Sequence, residues 1–244
     1  MGAAAAADER LIPPILGLDD PAFVCTHGQL DYAAEARLIS DNLLDLSHIS
    51  FLHKKSLQYS DTWARQRPRV TEHERYIQSE RWFKDEGYLG EDVTAENRVD
   101  TFFGMDFFVP GVLQMTTLIF PVGTADAVNG ERPDAGRQPV RKWDFTSQAI
   151  TPLTDKTARY FYIFGNPLHP ETGIAEAPEM SMIDDAFAED KVMIEAQQRI
   201  IDLTPDWRFV STMADQGAVL FQRMVERLAR EERTGGQNLR RGAH

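Results

Sequence analysis

The 244 residues, 42% hydrophobic and 26% charged, suit one large domain or a domain with a short appendage. A net charge of −12 argues against a nucleic-acid surface and against docking on anionic lipid. The single cysteine, Cys25, excludes an internal disulfide and cannot alone hold an iron–sulfur cluster.

Residues 1–27 comprise an Ala-rich tail, Pro13-Pro14 and a Gly/Asp segment. They are expected to form an N-terminal extension with little structure, reaching to about residue 35. No apolar run approaches the ~20 residues a membrane span needs. Met1 to Arg10 lacks the basic and long apolar regions of a signal peptide, so a cytoplasmic protein is expected.

Ser40 or Asp41 can cap a helix start, and Asn42 to His53 is predicted helical. This stretch sets Asn42, Asp45, His48 and His53 among leucines, Ile49 and Phe51. Asp45 and His48, three apart, share a helix face. His48 and His53, five apart, point roughly 140° from one another around a helix axis. Converging on one ion therefore requires a break or an extra residue in the helix between them. Buried imidazoles and carboxylates are costly unless paired or bound to metal. A hydrogen-bonded core histidine is the plainer alternative.

Lys54 to Pro68 reads as a loop. Strand-like runs follow at Val70–Phe83, Thr101–Val109, Val112–Val122, Lys142–Ile150 and Arg159–Phe164. Their short spacings imply antiparallel neighbours and leave no room for βαβ crossovers. The aromatic cluster from Phe102 to Phe108 reads as core. Thr124 to Arg141, rich in Gly and Pro, is predicted to be a long exposed loop bordering a binding site.

The last third is predicted helical. Asp184–Ile201 carries Phe187, Ile194 and Ile201 at helical spacing, and Asp190 falls on the same stripe. An acid on an inward face asks for a cation or hydrogen-bond donors. Asp184, Asp185 and Glu189 read instead as partners of the helix dipole. A second amphipathic helix runs from about Met213 to Glu231, and the basic tail, residues 233–244, is expected to be loose. The fold class is α+β, a curved antiparallel sheet with helices packed on one side.

Two His and one carboxylate form the facial triad of non-haem Fe(II) oxygenases, although zinc accepts the same donors. The zinc-protease pattern, two His on one helix face with a Glu between, is absent.

The run from Asp41 to His53, Asp-Asn-Leu-Leu-Asp-Leu-Ser-His-Ile-Ser-Phe-Leu-His, closely resembles the catalytic-domain signature of Rieske-type non-haem iron oxygenases, in particular the vanillate O-demethylase branch. The resemblance continues in Ile150 to Asp155, Phe187 to Gln198, Met213 to Ala218 and the Arg227 to Glu232 helix. It covers roughly residues 28–232, which become the expected catalytic domain. The resemblance implies a helix-grip fold of the START/Bet v 1 kind. It matches His48, His53 and Asp190 to the ligands of a mononuclear Fe(II). Asp45 matches the acid linking an iron-bound His to a cluster-ligating His on a neighbouring subunit, and Asn42 matches a polar residue near the iron.

The implied activity is oxygenation of an aromatic ring or aryl methyl ether by dioxygen, within a possible homotrimer. Electrons would come from a Rieske [2Fe-2S] centre fed by a reductase. Family members carry that cluster on Cys-x-His and Cys-x-x-His. Cys25-Thr26-His27 matches only the first half and no Cys-x-x-His follows, which leaves three readings: a cluster supplied in trans on another polypeptide, a chain that is a fragment of a split or truncated gene, or lost redox function. The alternative is a non-catalytic helix-grip module binding an apolar small molecule, with zinc-dependent hydrolysis ranked below both.

Overall fold

Seven strands make up the sheet of the computed structural model, which describes residues 8–13, 21, 23–57, 62–87, 94, 97–134, 137, 141–168, 180–204, 206 and 208–241. They are β1 (Phe23–Tyr32), β2 (Arg69–Glu72), β3 (Tyr76–Gly87), β4 (Arg98–Phe108), β5 (Val112–Phe120), β6 (Arg141–Thr154) and β7 (Thr157–Pro167). Strands β2 to β7 form an antiparallel meander, and β1 adds antiparallel beside β7, in the order β1-β7-β6-β5-β4-β3-β2. The predicted Val70–Phe83 run divides in two, because His73 N–H bonds the Tyr76 carbonyl at 2.9 Å and turns the chain.

β1 corrects the expectation of little structure up to residue 35. Among the described residues it is an edge strand with β7 as its one neighbour, so its residues are mostly half-buried or exposed and carry little hydrophobic alternation. Gly28 at its centre is required by close approach, since a Cβ there would lie 2.2 Å from the Tyr162 ring. Tyr162 instead lies across the strand and donates its hydroxyl to Asp184 Oδ1 at 2.5 Å, tying β7 to the following helix.

The helices are α1 (Ala36–Leu44), α2 (Ile49–Leu52), α3 (Thr62–Arg65), α4 (Thr124–Ala127), α5 (Met180–Leu203) and α6 (Gln216–Arg241). α1 starts before the predicted caps. Ser40 lies inside it and bonds the Ala36 carbonyl at 3.2 Å, while Asp41 accepts from Gln222 of α6 at 2.9 Å. α3 and α4 occupy stretches predicted as loops, and each is anchored by buried residues, Trp63 in one and Ala125 in the other. α6 continues to Arg241, past the Gly235-Gly236 pair where the tail was expected to loosen. Extending a formed helix adds one hydrogen bond per residue fixed, which carries it beyond its packed portion.

Alternation sorts the sheet side chains. Ile77, Phe103, Met105, Phe107 and Tyr160 face the helices and pack with Leu38, Ile194, Phe221 and Met224. Trp82, Phe102 and Phe120 face the other way, where α4 covers them. The Phe102–Phe108 cluster is core, shared between the two faces. Among the described residues no helix is long and apolar enough to cross a membrane.

Candidate metal centre

The predicted helix across residues 42–53 is broken at Asp45 and ends at His53. α1 ends at Asp45, whose backbone is extended (φ −104°, ψ 91°). The Asp45 carboxylate accepts the Ser47 N–H at 2.9 Å, which starts a 3₁₀ turn over Leu46–His48. α2 follows for one turn, and His53 leaves it with non-helical angles (φ −98°, ψ 26°). The two imidazole rings lie 5.3 Å apart between centroids.

Asp190, buried on the inward stripe of α5, completes the group. Its Oδ1 is 3.5 Å from His48 Nε2 and 3.3 Å from His53 Nε2. One donor atom from each of the three residues lies within 4.8 Å of the others. Among the described residues no other group of His, Cys, Asp or Glu is so placed.

The remaining ring nitrogens are already engaged. His48 Nδ1 donates to the Asp45 carbonyl at 2.5 Å. His53 Nδ1 donates to Glu189 Oε2 at 2.9 Å, and the same oxygen accepts the Ser56 hydroxyl at 2.7 Å. A hydrogen bond at one nitrogen decides which nitrogen is free for metal, so both Nε2 lone pairs point into the group. Asn42 Nδ2 donates to Asp190 Oδ1 at 3.0 Å and holds that carboxylate in place.

Burial makes His53 harder to protonate, but Asp190 and Glu189 outweigh it and raise its pKa. Proton and metal therefore compete for one site, and a cation of some kind is favoured there. Two neutral imidazoles and a carboxylate, with the rest of the coordination sphere open, fit ferrous iron.

Asn42, His48, His53 and Asp190 thus meet in one place. Asp45 lies beside them but reaches His48 through its backbone carbonyl, not through its carboxylate. Glu189 is the residue that sequence reasoning assigned elsewhere. It carries no dipole role but orients His53, and its one signal was adjacency to Asp190. Asp184 likewise holds Tyr162. Glu189→Gln is expected to weaken ferrous iron binding by about 10–100-fold, the usual cost of losing such a partner. Titration of the metal-free protein with ferrous iron measures it.

Asn42, Asp45 and His48 also border a groove of about 810 Å³ opposite Met193, Gln197 and Ile200 of α5. Phe51, 68% exposed, stands at its rim. His48 thus has a route to the surface that His53 lacks.

Residues 32–231 match the model of the vanillate O-demethylase oxygenase C-terminal domain. A candidate toluene-4-sulfonate monooxygenase system iron–sulfur subunit of Comamonas testosteroni is 28% identical over 226 residues, 88% of this chain and 62% of that protein. A vanillate O-demethylase oxygenase subunit of Pseudomonas sp. (strain ATCC 19151) is 29% identical over 250 residues, 98% of this chain and 72% of that one. The crystal structure of dicamba monooxygenase bound to dicamba superposes with a TM-score of 0.74 at 23% identity, over 96% of this chain and 66% of that chain. A structure of the same enzyme with non-haem iron and dicamba gives 0.68 at 21% identity, over 97% and 65%. The chain thus spans about two thirds of the proteins it matches. These likenesses show an α+β helix-grip fold, and the matched residues make the chain a member of the vanillate O-demethylase oxygenase C-terminal domain family.

Proposed function

We propose that residues 28–232 are the catalytic part of a Rieske-type aromatic oxygenase, with ferrous iron held by His48, His53 and Asp190. The convergence of these three residues, with both Nδ1 atoms already engaged, carries the reading. The iron would supply the activation of dioxygen. Its electrons would come from a [2Fe-2S] centre outside these residues, fed by a reductase using a nicotinamide cofactor. The relatives are oxygenase components, which disfavours the non-catalytic module.

The chain's own residues divide the remaining work. Asn42 fixes the Asp190 carboxylate, and Glu189 fixes the His53 ring. An aromatic substrate, by class an aryl methyl ether or a related ring compound, would bind beside the three ligands. The groove beside Asp45 and His48 is where the electron donor would approach, with Asp45 joining the two centres. That donor would belong to a neighbouring subunit of a homotrimer or to a separate protein, in a cytoplasmic setting.

Metal content tests the reading. Protein purified with ferrous iron and without oxygen should hold about one iron per chain, as a single three-ligand site requires. His48→Ala should lose it, and full iron in a folded His48→Ala protein would remove the ligand assignment. Zinc retained in place of offered iron would favour hydrolysis instead. Asp45→Asn should spare the iron yet slow its reduction by a partner about tenfold or more. Unchanged stopped-flow reduction kinetics would take Asp45 out of the electron path.

A further inference from the structure

Arg81 projects from the inner face of β3, in register with Phe103 of β4, and is only 5% exposed. Its Nε and Nη1 have no hydrogen-bond partner among the described residues. Taking a guanidinium out of water without pairing it is costly. Burial brings its pKa down to about 10 against the opposing pull of Asp45, so it remains charged at neutral pH. Asp45 acts on it through space, its own Oδ1 being occupied by the Ser47 N–H.

The side chain borders a pocket of about 360 Å³ between the 3₁₀ turn, α3 and residues 212–214. Trp63 and Met213 give it apolar walls, and Arg65 and Arg67 add positive charge. Among the described residues its lining holds three arginines and no acid, on a chain with a net charge of −12.

We propose that this pocket binds a small organic carboxylate, with Arg81 as its anchor. A guanidinium edge matches a carboxylate through two parallel hydrogen bonds, and the unpartnered Nε and Nη1 of Arg81 each form such an edge with Nη2. The volume is that of a small-molecule site, and the Trp63 wall suits a compact apolar body behind the acid. None of His48, His53 and Asp190 lines the pocket, so binding there does not depend on the metal. Ser47 nevertheless joins the two sites, since it precedes His48 and lines the pocket.

The test uses the full metal-free chain with ¹⁵N-labelled arginine, titrated with sodium benzoate and read at the Arg81 Nε–H resonance. A saturable shift is expected, with benzamide, the neutral isostere, at least about tenfold weaker. Arg81→Lys keeps the charge and loses the fork, and should weaken benzoate about tenfold, whereas Arg81→Gln should abolish binding there. An Arg81 resonance unmoved by benzoate, or benzamide binding equally well, would overturn the proposal. If neither variant folds, the titration of the unaltered protein decides alone. Iron loading is a separate measurement, so loss of either conclusion leaves the other standing.

Discussion

Asp190→Ala should empty the metal centre while the domain stays folded. Losing an outer partner of a metal ligand already costs about 10–100-fold in affinity, and losing the ligand itself should exceed that. Asp190 is the one residue bonded to or facing every other member of the site. Its Oδ1 takes the Asn42 amide and lies within 3.5 Å of both Nε2 atoms. Alanine would strand the Asn42 donor at about 1–3 kcal/mol, within the total stability of an ordinary domain. It would also remove a buried acid, which offsets part of that cost. Iron per chain by plasma mass spectrometry, with circular dichroism on the same sample, reads both halves. A folded variant that keeps its full iron would show that the carboxylate is not a ligand.

The second large effect lies in the core. Phe107→Ala should cost about 3–5 kcal/mol, the range for emptying a buried aromatic site. Phe107 is fully buried on β4 and meets the Phe221 ring edge-on at 4.5 Å, fastening α6 to the sheet. Phe51→Ala is the control, since that ring is 68% exposed and should change stability by about 0.5 kcal/mol or less. Urea midpoints compare the two. A loss below about 1 kcal/mol at Phe107 would mean that α6 is not packed as described.

Side-chain pattern carried most of the site and the sheet. The pattern set Asn42, His48 and His53 apart in an apolar stretch and Asp190 on an inward stripe, while their matching to one iron site came from the family resemblance. The end of α1 at Asp45 was not legible. It depends on Asp45 capping Ser47 and offering its carbonyl to His48, and a backbone carbonyl leaves no mark in residue type. Glu189 was hidden for a related reason. One position before Asp190 lies 100° away on an α-helix, and only the exit of His53 from α2 brings its Nδ1 within reach. β1 was hidden because an edge strand needs little alternation, and its place depends on β7, more than 120 residues later. Arg81 sits in a run that reads simply as strand, and its isolation appears only when its neighbours are counted in space.

The contact that closes the centre, Asn42 to Asp190, spans 148 residues. The stretch between them contains six of the seven strands, so neither half of the centre has its counterpart until the sheet is threaded and α5 has docked. Closing such a distant pair is entropically costly and comes late in assembly. A nascent or partly unfolded chain offers two histidines on one short segment and nothing opposite them. Any selective uptake of an ion at this group would therefore be a property of the finished domain, since a chain still being synthesised lacks Asp190 until its last third emerges.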